Sequence, residues 1–225
     1  MSQNTNKALI ISGMLIHLSD NIIPFLDKNT DVFCHTWNKD WNGRWLIKLN
    51  RYKKYCRNIY SIMDKPKFSE KRLSYFYSTY RAVNMIKDID KYDKIIKFKP
   101  NVEGDISYVG DTEYYFTKAY LQSRPLLNEY TKEDCLYGTI HYHTMDKRIF
   151  SGYPLAFKKM FHILEDKFIE SMLNIDSHVR TTYGYECEGS LFWKEWADSK
   201  RVKLIQDIDL KIPNSKEWNQ KKLKA

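Results

Sequence analysis

The chain opens on an apolar run. Lys7 to Ile16 (KALIISGMLI) reads as a buried strand that closes in a Ser12-Gly13 turn. Asp31 to Trp37 (DVFCHTW) is rich in β-branched and aromatic residues and predicts a second strand. Arg57 to Met63 (RNIYSIM) alternates and predicts a third. Tyr92 to Phe98 (YDKIIKF) predicts a fourth, which Pro100 ends. The strongest helical period lies between Ser69 and Ile89, where Leu73, Phe76, Tyr77, Tyr80, Val83, Asn84 and Ile86 recur near 3.6 residues. Residues 20–28 predict a short helix with Asp20 as its N-cap. The polar, basic stretch 38–54 predicts irregular structure.

Further along, Ile106 to Val109 predicts a short strand and Glu113 to Leu121 a short helix. Lys147 to Ser151 predicts a strand. Pro154 to Ile169 predicts a helix, with Pro154 suited to the first turn. Glu188 to Asp198 predicts the last helix and Val202 to Ile205 the last strand. Strands alternating with helices predict an α/β protein with a mostly parallel sheet flanked by helices. Residues 1–215 are expected to form a single domain, and the polar, basic tail 216–225 to fray.

Composition narrows the classes. Of 225 residues, 43 % are hydrophobic and 29 % charged, which excludes wholly disordered, collagen-like and coiled-coil chains. No apolar run is long enough to predict a membrane-spanning helix. Ala8 to Ile16 is interrupted by Ser12 and Gly13 and is not read as a signal peptide. Cys34, Cys56, Cys135 and Cys187 lie far apart, so reduced thiols in a cytoplasmic compartment are expected. The net charge of +9 favours anionic partners. It is spread over modest clusters, Lys48–Lys54, Lys65–Arg72 and Lys216–Lys224, rather than gathered into one patch, so no specific nucleic-acid partner is expected. A basic nucleic-acid binder would betray itself by a steep salt dependence.

In open α/β sheets, ligands bind beyond the carboxyl ends of the strands. The first such loop is Ser12-Gly13, where a glycine lets backbone N–H groups approach a phosphate. The chain has no GxGxxG and no Walker lysine motif, which weighs against Rossmann dinucleotide and P-loop readings. Two Asp-x-Asp pairs occur, Asp88/Asp90 and Asp207/Asp209. The first precedes a strand, where no metal site is expected. The loop after the fourth strand carries Asn101, Glu103 and Asp105, oxygen ligands suited to Mn²⁺ or Mg²⁺. His141 and His143 have strand spacing, so both rings can face one side, but two rings alone do not make a metal site. Trp218 and Leu223, set among the tail lysines, suit peripheral membrane contact.

Several segments, in order, resemble a family of GT-A-like glycosyltransferases of bacteria, phages and large DNA viruses, close to the WavE-type lipopolysaccharide-synthesis proteins. The S-G-x-x-R turn of that family is similar to Ser12-Gly13-Met14-Leu15-Ile16, with Ile16 in place of Arg and His17 next to it. D-V-F-x-H-T-W resembles Asp31 to Trp37. Y-S-x-x-K-A resembles Tyr77 to Ala82. Y-D-x-I-I-R-x-R-P-D resembles Tyr92 to Asn101, with Lys97 and Lys99 for both Arg and Asn101 for Asp. Weaker likenesses run through Asp146 to Gly152 and Glu188 to Trp196.

The resemblance spans residues 7–205. It implies a GT-A-like, Rossmann-like domain that moves a sugar from a nucleotide-sugar donor to a glycan acceptor: a surface polysaccharide, lipopolysaccharide or viral glycan. It implies Ser12, Gly13, Tyr77, Arg81 and Lys99 around the donor, with Arg81 and Lys99 on the pyrophosphate. Tyr77 stacks on the base, donates to a phosphate, or packs in the core. Asn101, Glu103 and Asp105 are implied around a divalent metal, and Asp146 and Glu188 at the acceptor as general-base candidates. A donor pocket shared by Asn101, Glu103, Arg81 and Ser12 is the expectation. Asn101 and Ile16 depart from the family pattern, so the alternative is a non-catalytic nucleotide- or glycan-binding protein on the same fold.

Overall fold

The computed structural model describes residues 6–15, 18, 22–23, 26–38, 44–98, 100, 135–141, 144–183 and 189–206. Seven strands form one sheet in the order β3-β2-β1-β4-β6-β5-β7. They are β1 (Lys7–Ser12), β2 (Thr30–Trp37), β3 (Asn58–Asp64), β4 (Lys94–Phe98), β5 (Cys135–His141), β6 (Thr144–Gly152) and β7 (Lys203–Gln206). Pairing is parallel for β1 with β2 and β4, for β2 with β3, and for β5 with β7. β6 alone runs against its neighbours β4 and β5. The α/β class with a mostly parallel sheet is thus observed, with one reversed strand.

Among the described residues five helices accompany the sheet: α1 (Arg44–Tyr52), α2 (Lys71–Asn84), α3 (Pro154–Phe161), α4 (Glu165–Tyr183) and α5 (Gly189–Ser199). A 3-10 turn, Ile89–Lys91, follows α2. Along β1 the side chains alternate between two cores. Ala8 and Ile10 join α2, α3, α4 and α5 on one face, while Leu9 and Ile11 join Leu15, Leu49 and Tyr52 on the other. Both faces of the sheet are covered, which is why β2 is buried at all eight positions.

The first core is held by aromatic rings. Phe76 of α2 lies 5.0 Å from the Phe192 and Trp196 rings, 5.5 Å from Phe168 and Trp193, and 5.7 Å from Phe161. One side chain of α2 therefore touches all three later helices. Arg72 and Arg180 bind Asp176, and Arg180 also binds Glu70, which fastens α4 to the start of α2.

At the amino ends of the strands, buried Asp31 ties three segments together. Arg57 donates to both its carboxylate oxygens (2.9 and 2.7 Å), Tyr92 through its hydroxyl (2.7 Å) and Asn58 through its amide (2.9 Å). Burial opposes the charge, but these donors outweigh it and hold the carboxyl down at a pKa of about 2.

Three expectations change. Residues 44–52 form α1 rather than an irregular stretch, with Leu49 and Tyr52 buried. The helix expected over Pro154 to Ile169 is two helices, broken at 162–164 where His162 leaves helical geometry. β5 and the second half of α4 were not expected. The elements expected at 106–109 and 113–121 lie outside the described residues, as do most of 20–28 and the tail 216–225. Among the described residues no helix is long and apolar enough to cross a membrane.

Candidate functional site at the carboxyl ends of the parallel strands

The chain runs from β1 outward to β2 and β3, then returns to the opposite side of β1 as β4. The crevice between the carboxyl ends of β1 and β4 is therefore the topological switch point, where open α/β sheets take ligands. Gly13 stands there at φ +121°, a conformation that side-chain-bearing residues rarely adopt, and its N–H donates to the His35 carbonyl at 3.1 Å. A Cβ on Gly13 would lie 3.5 Å from Pro100 and 3.8 Å from the Tyr75 ring. The two strand ends and α2 thus meet at this glycine.

Behind it, β4 places Lys97 on the α2 face of the sheet, the face that Ile10 and Ser12 share. Lys97 is fully buried, with its ammonium 4.0 Å from the centre of the Tyr75 ring and 5.7 Å from that of Phe150. An ammonium over an aromatic face is attracted by the ring quadrupole. Ser12 turns its hydroxyl away from the crevice, to Thr79 of α2 at 2.9 Å. Its side chain docks α2, which leaves the backbone as the part of Ser12-Gly13 that faces the crevice.

A second polar cluster lies two strands away, at the end of β3. Arg81 donates to Asp64 at 2.6 Å and pairs with Glu165 at 3.6 Å. Glu165 also accepts from Lys67 (2.7 Å) and from the Tyr77 hydroxyl (2.6 Å). These bonds hold its carboxyl below the usual range, while burial and Glu165 push the Tyr77 hydroxyl up. With Lys65 and Pro66 these groups line an open cleft of about 320 Å³. Ser12 is not among them. The Tyr77 ring itself is buried, stacked on Trp37 and Tyr80 with Phe68 at its edge. Stacking on a nucleobase is closed to it in this arrangement.

Under the cleft, His35 joins Asp64 (3.1 Å) to Ser78 (2.7 Å). The carboxylate accepts, so Nε2 carries the proton and Nδ1 accepts the Ser78 hydroxyl proton. The order serine, histidine, carboxylate is that of a nucleophile relay. Here both Ser78 and His35 are wholly buried, so no substrate reaches the hydroxyl. Burial is also what lowers the His35 pKa to about 4, more strongly than Asp64 raises it.

The switch point thus brings Gly13 and Ser12 together, whereas Tyr77 and Arg81 belong to the cleft by β3. Lys99, Asn101, Glu103, Asp105 and Glu188 lie outside the described residues, as do His143, Asp207, Asp209, Trp218 and Leu223. Asp146 is carried by β6 and His141 ends β5. Asp90 pairs with Lys158. Among the described residues no three His, Cys, Asp or Glu side chains stand together as a metal site, and Cys34, Cys56 and Cys135 are free thiols.

No protein-family model matches the chain, and no curated protein is significantly similar to it. The chemistry of the site follows from its own groups. Lys97 and Tyr75 had not been singled out as site residues. The signal for Lys97 is the strand period: it falls between Ile96 and Phe98 on the same face as Ile95, so this one of the strand's two lysines lands on an inward face.

Proposed function

We propose that the chain is a glycosyltransferase that takes a nucleotide-sugar donor at the β1/β4 switch point and passes its sugar to a glycan acceptor. The observation that carries the reading is the crevice itself: a positive-φ glycine between two parallel strand ends, with the buried Lys97 ammonium and the Tyr75 ring beside it. The α/β sheet is compatible with the GT-A-like fold that the sequence resemblance implies.

In such a transfer the bond from the anomeric carbon to the diphosphate breaks, and its electron pair leaves on the diphosphate. The acceptor oxygen forms the new bond and gives its proton to a base. Fixed cations stabilise the charge that develops on the leaving group. Lys97 is fully buried, so it acts on that end of the reaction through its field rather than by contact, with Lys99 two residues on as the sequence resemblance implies. Arg81 is held by Asp64 and Glu165 in the cleft by β3 rather than at this crevice. Asp146 and Glu188 remain the candidates for the base. Asn101, Glu103 and Asp105 are the residues proposed to hold a divalent metal, which would add Lewis-acid stabilisation to the leaving diphosphate.

A thermal-shift panel of UDP, GDP, CMP and dTDP sugars, with and without Mn²⁺, tests the reading. One donor at about 100 times its Kd should stabilise the fold by about 2.7 kcal/mol, a rise of about 5–10 °C. A shift that needs Mn²⁺ places metal at the site. A shift with no sugar transfer leaves a non-catalytic nucleotide-binding protein. No shift with any donor overturns the proposal.

A further inference from the structure

β3 forms one edge of the sheet, and among the described residues no strand pairs with its outer side. Its seven residues read NIYSIMD. Polar, apolar, apolar, polar, apolar, apolar, polar: the pattern is the same from either end, with Ser61 at its centre. A strand that reads alike in both directions can pair antiparallel with its own copy about a two-fold axis. The open edge has no proline, lysine or described bulge to block such pairing.

Backbone direction fits as well. The Asp64 carbonyl accepts the Asn38 N–H at 2.9 Å, on the β2 side. Alternate residues turn their backbone groups to opposite sides, so Ile59, Ser61 and Met63 turn theirs to the open edge. Centred on Ser61, two copies set Ile59 opposite Met63, Tyr60 opposite Ile62 and Asn58 opposite Asp64. Every apolar residue then meets an apolar one. Sliding by two residues, the smallest step that keeps the backbone groups facing, sets Asn58 against Ile62 or Tyr60 against Asp64. One register is thereby selected.

The side chains at this edge are exposed. Tyr60 is 44 % accessible and Met63 51 %. In the sequence just before β3, Leu46, Ile47 and Tyr55 are exposed as well. Half of the exposed large hydrophobic residues found in the described structure thus fall between positions 46 and 63. Such a concentration marks an association surface.

We infer that β3 is a homodimer interface, in which two copies pair antiparallel about Ser61 and join their sheets into one. Each copy carries a net charge of +9, so the two repel at long range. Salt screens that repulsion, with a Debye length of about 8 Å at physiological strength and about 3 Å at 1 M. The dimer therefore tightens as salt rises, which is the reverse of a charge-driven complex.

Sedimentation velocity over a concentration series, at low and high salt, reads the dimer directly. Ser61 opposes itself on the axis, so Ser61→Lys sets two ammonium groups face to face and should raise the dimer Kd about tenfold or more. Met63→Lys should act likewise, as a check against misfolding of the first variant. Oxidised Ser61→Cys should cross-link two copies, whereas Leu164→Cys, 77 % exposed elsewhere, should not. A chain that stays monomeric at about 100 μM overturns the inference. So does a dimer that both lysine variants leave intact, or a Ser61→Cys chain that cross-links no faster than Leu164→Cys.

Discussion

Phe76→Ala should lower the melting temperature by about 6–20 °C. A buried phenylalanine cut to alanine costs about 3–5 kcal/mol, and each kcal/mol moves a chain of this size by about 2–4 °C. The upper end is expected here, because five rings from three helices converge on Phe76 and cannot all close on the cavity at once. The loss should be global. Phe76 sits on α2, which packs on β1 and β2, and its partners sit on α3, α4 and α5. Circular dichroism should show a single earlier transition. A loss under about 1 kcal/mol, or a C-terminal half that melts alone while the rest stays folded, would show that the rings do not couple the halves.

The second large effect is acid lability in two stages. The unfolded chain protonates a histidine near pH 6.5, whereas folded His35, kept neutral by burial beside Ser78, Asp64 and Arg81, takes a proton only near pH 4. Acid therefore favours the unfolded state across that window. The His35 contribution is complete above about pH 6.5 and is lost by about pH 4, a fall of about 3 kcal/mol. Asp31 follows. Its folded pKa of about 2 lies below the ordinary 3.8, so its contribution of about 2 kcal/mol is present above pH 3.8 and fades towards pH 2. Urea midpoints from about pH 7 to about pH 2 trace both stages. His35→Gln should be less stable at neutral pH and flatter between about pH 6.5 and 4. An unchanged slope in that variant would assign the upper stage to another group, such as half-buried His162.

The parallel half of the fold was legible because its signals are local. β1, β2 and β4 are short apolar runs, and α2 carries a clear 3.6 period. α1 was hidden by composition: Arg44, Lys48, Asn50 and Arg51 interrupt its apolar positions, and among its described side chains Leu49 and Tyr52 are the buried ones. The break at 162–164 carries no glycine or proline to announce it. α4 continues on Met172 and Val179, a sparse stripe set among polar residues. The reversal of β6 has no local signature, since strand direction is decided by what the strand pairs with.

The site divides along the same line. Gly13 could be placed from a turn after an apolar run, and the structure puts it at the switch point. Arg81 and Tyr77 lie one helical turn apart on α2, and that turn faces the β3 end rather than the β1/β4 crevice. Tyr75, from the same helix, faces the crevice, where its ring lies beside Gly13. Which of two neighbouring rows on a helix meets a ligand depends on how the helix crosses the sheet, and that crossing is a tertiary fact.

Strand order also sets a timetable for synthesis. Residues 7–98 hold β1, β2, β3, β4 and α2, and all of their mutual pairings are internal to that stretch. As the chain leaves the ribosome, this block can assemble first. Its β4 edge then waits for β6, whose partners on β4, Ile149 to Gly152, are translated some fifty residues later. Until they emerge, the nascent chain shows an open strand edge, and Phe76 waits longer still for its ring partners between Phe161 and Trp196. That interval is when a chaperone has most to shield, and slowing translation between positions 98 and 149 lengthens it.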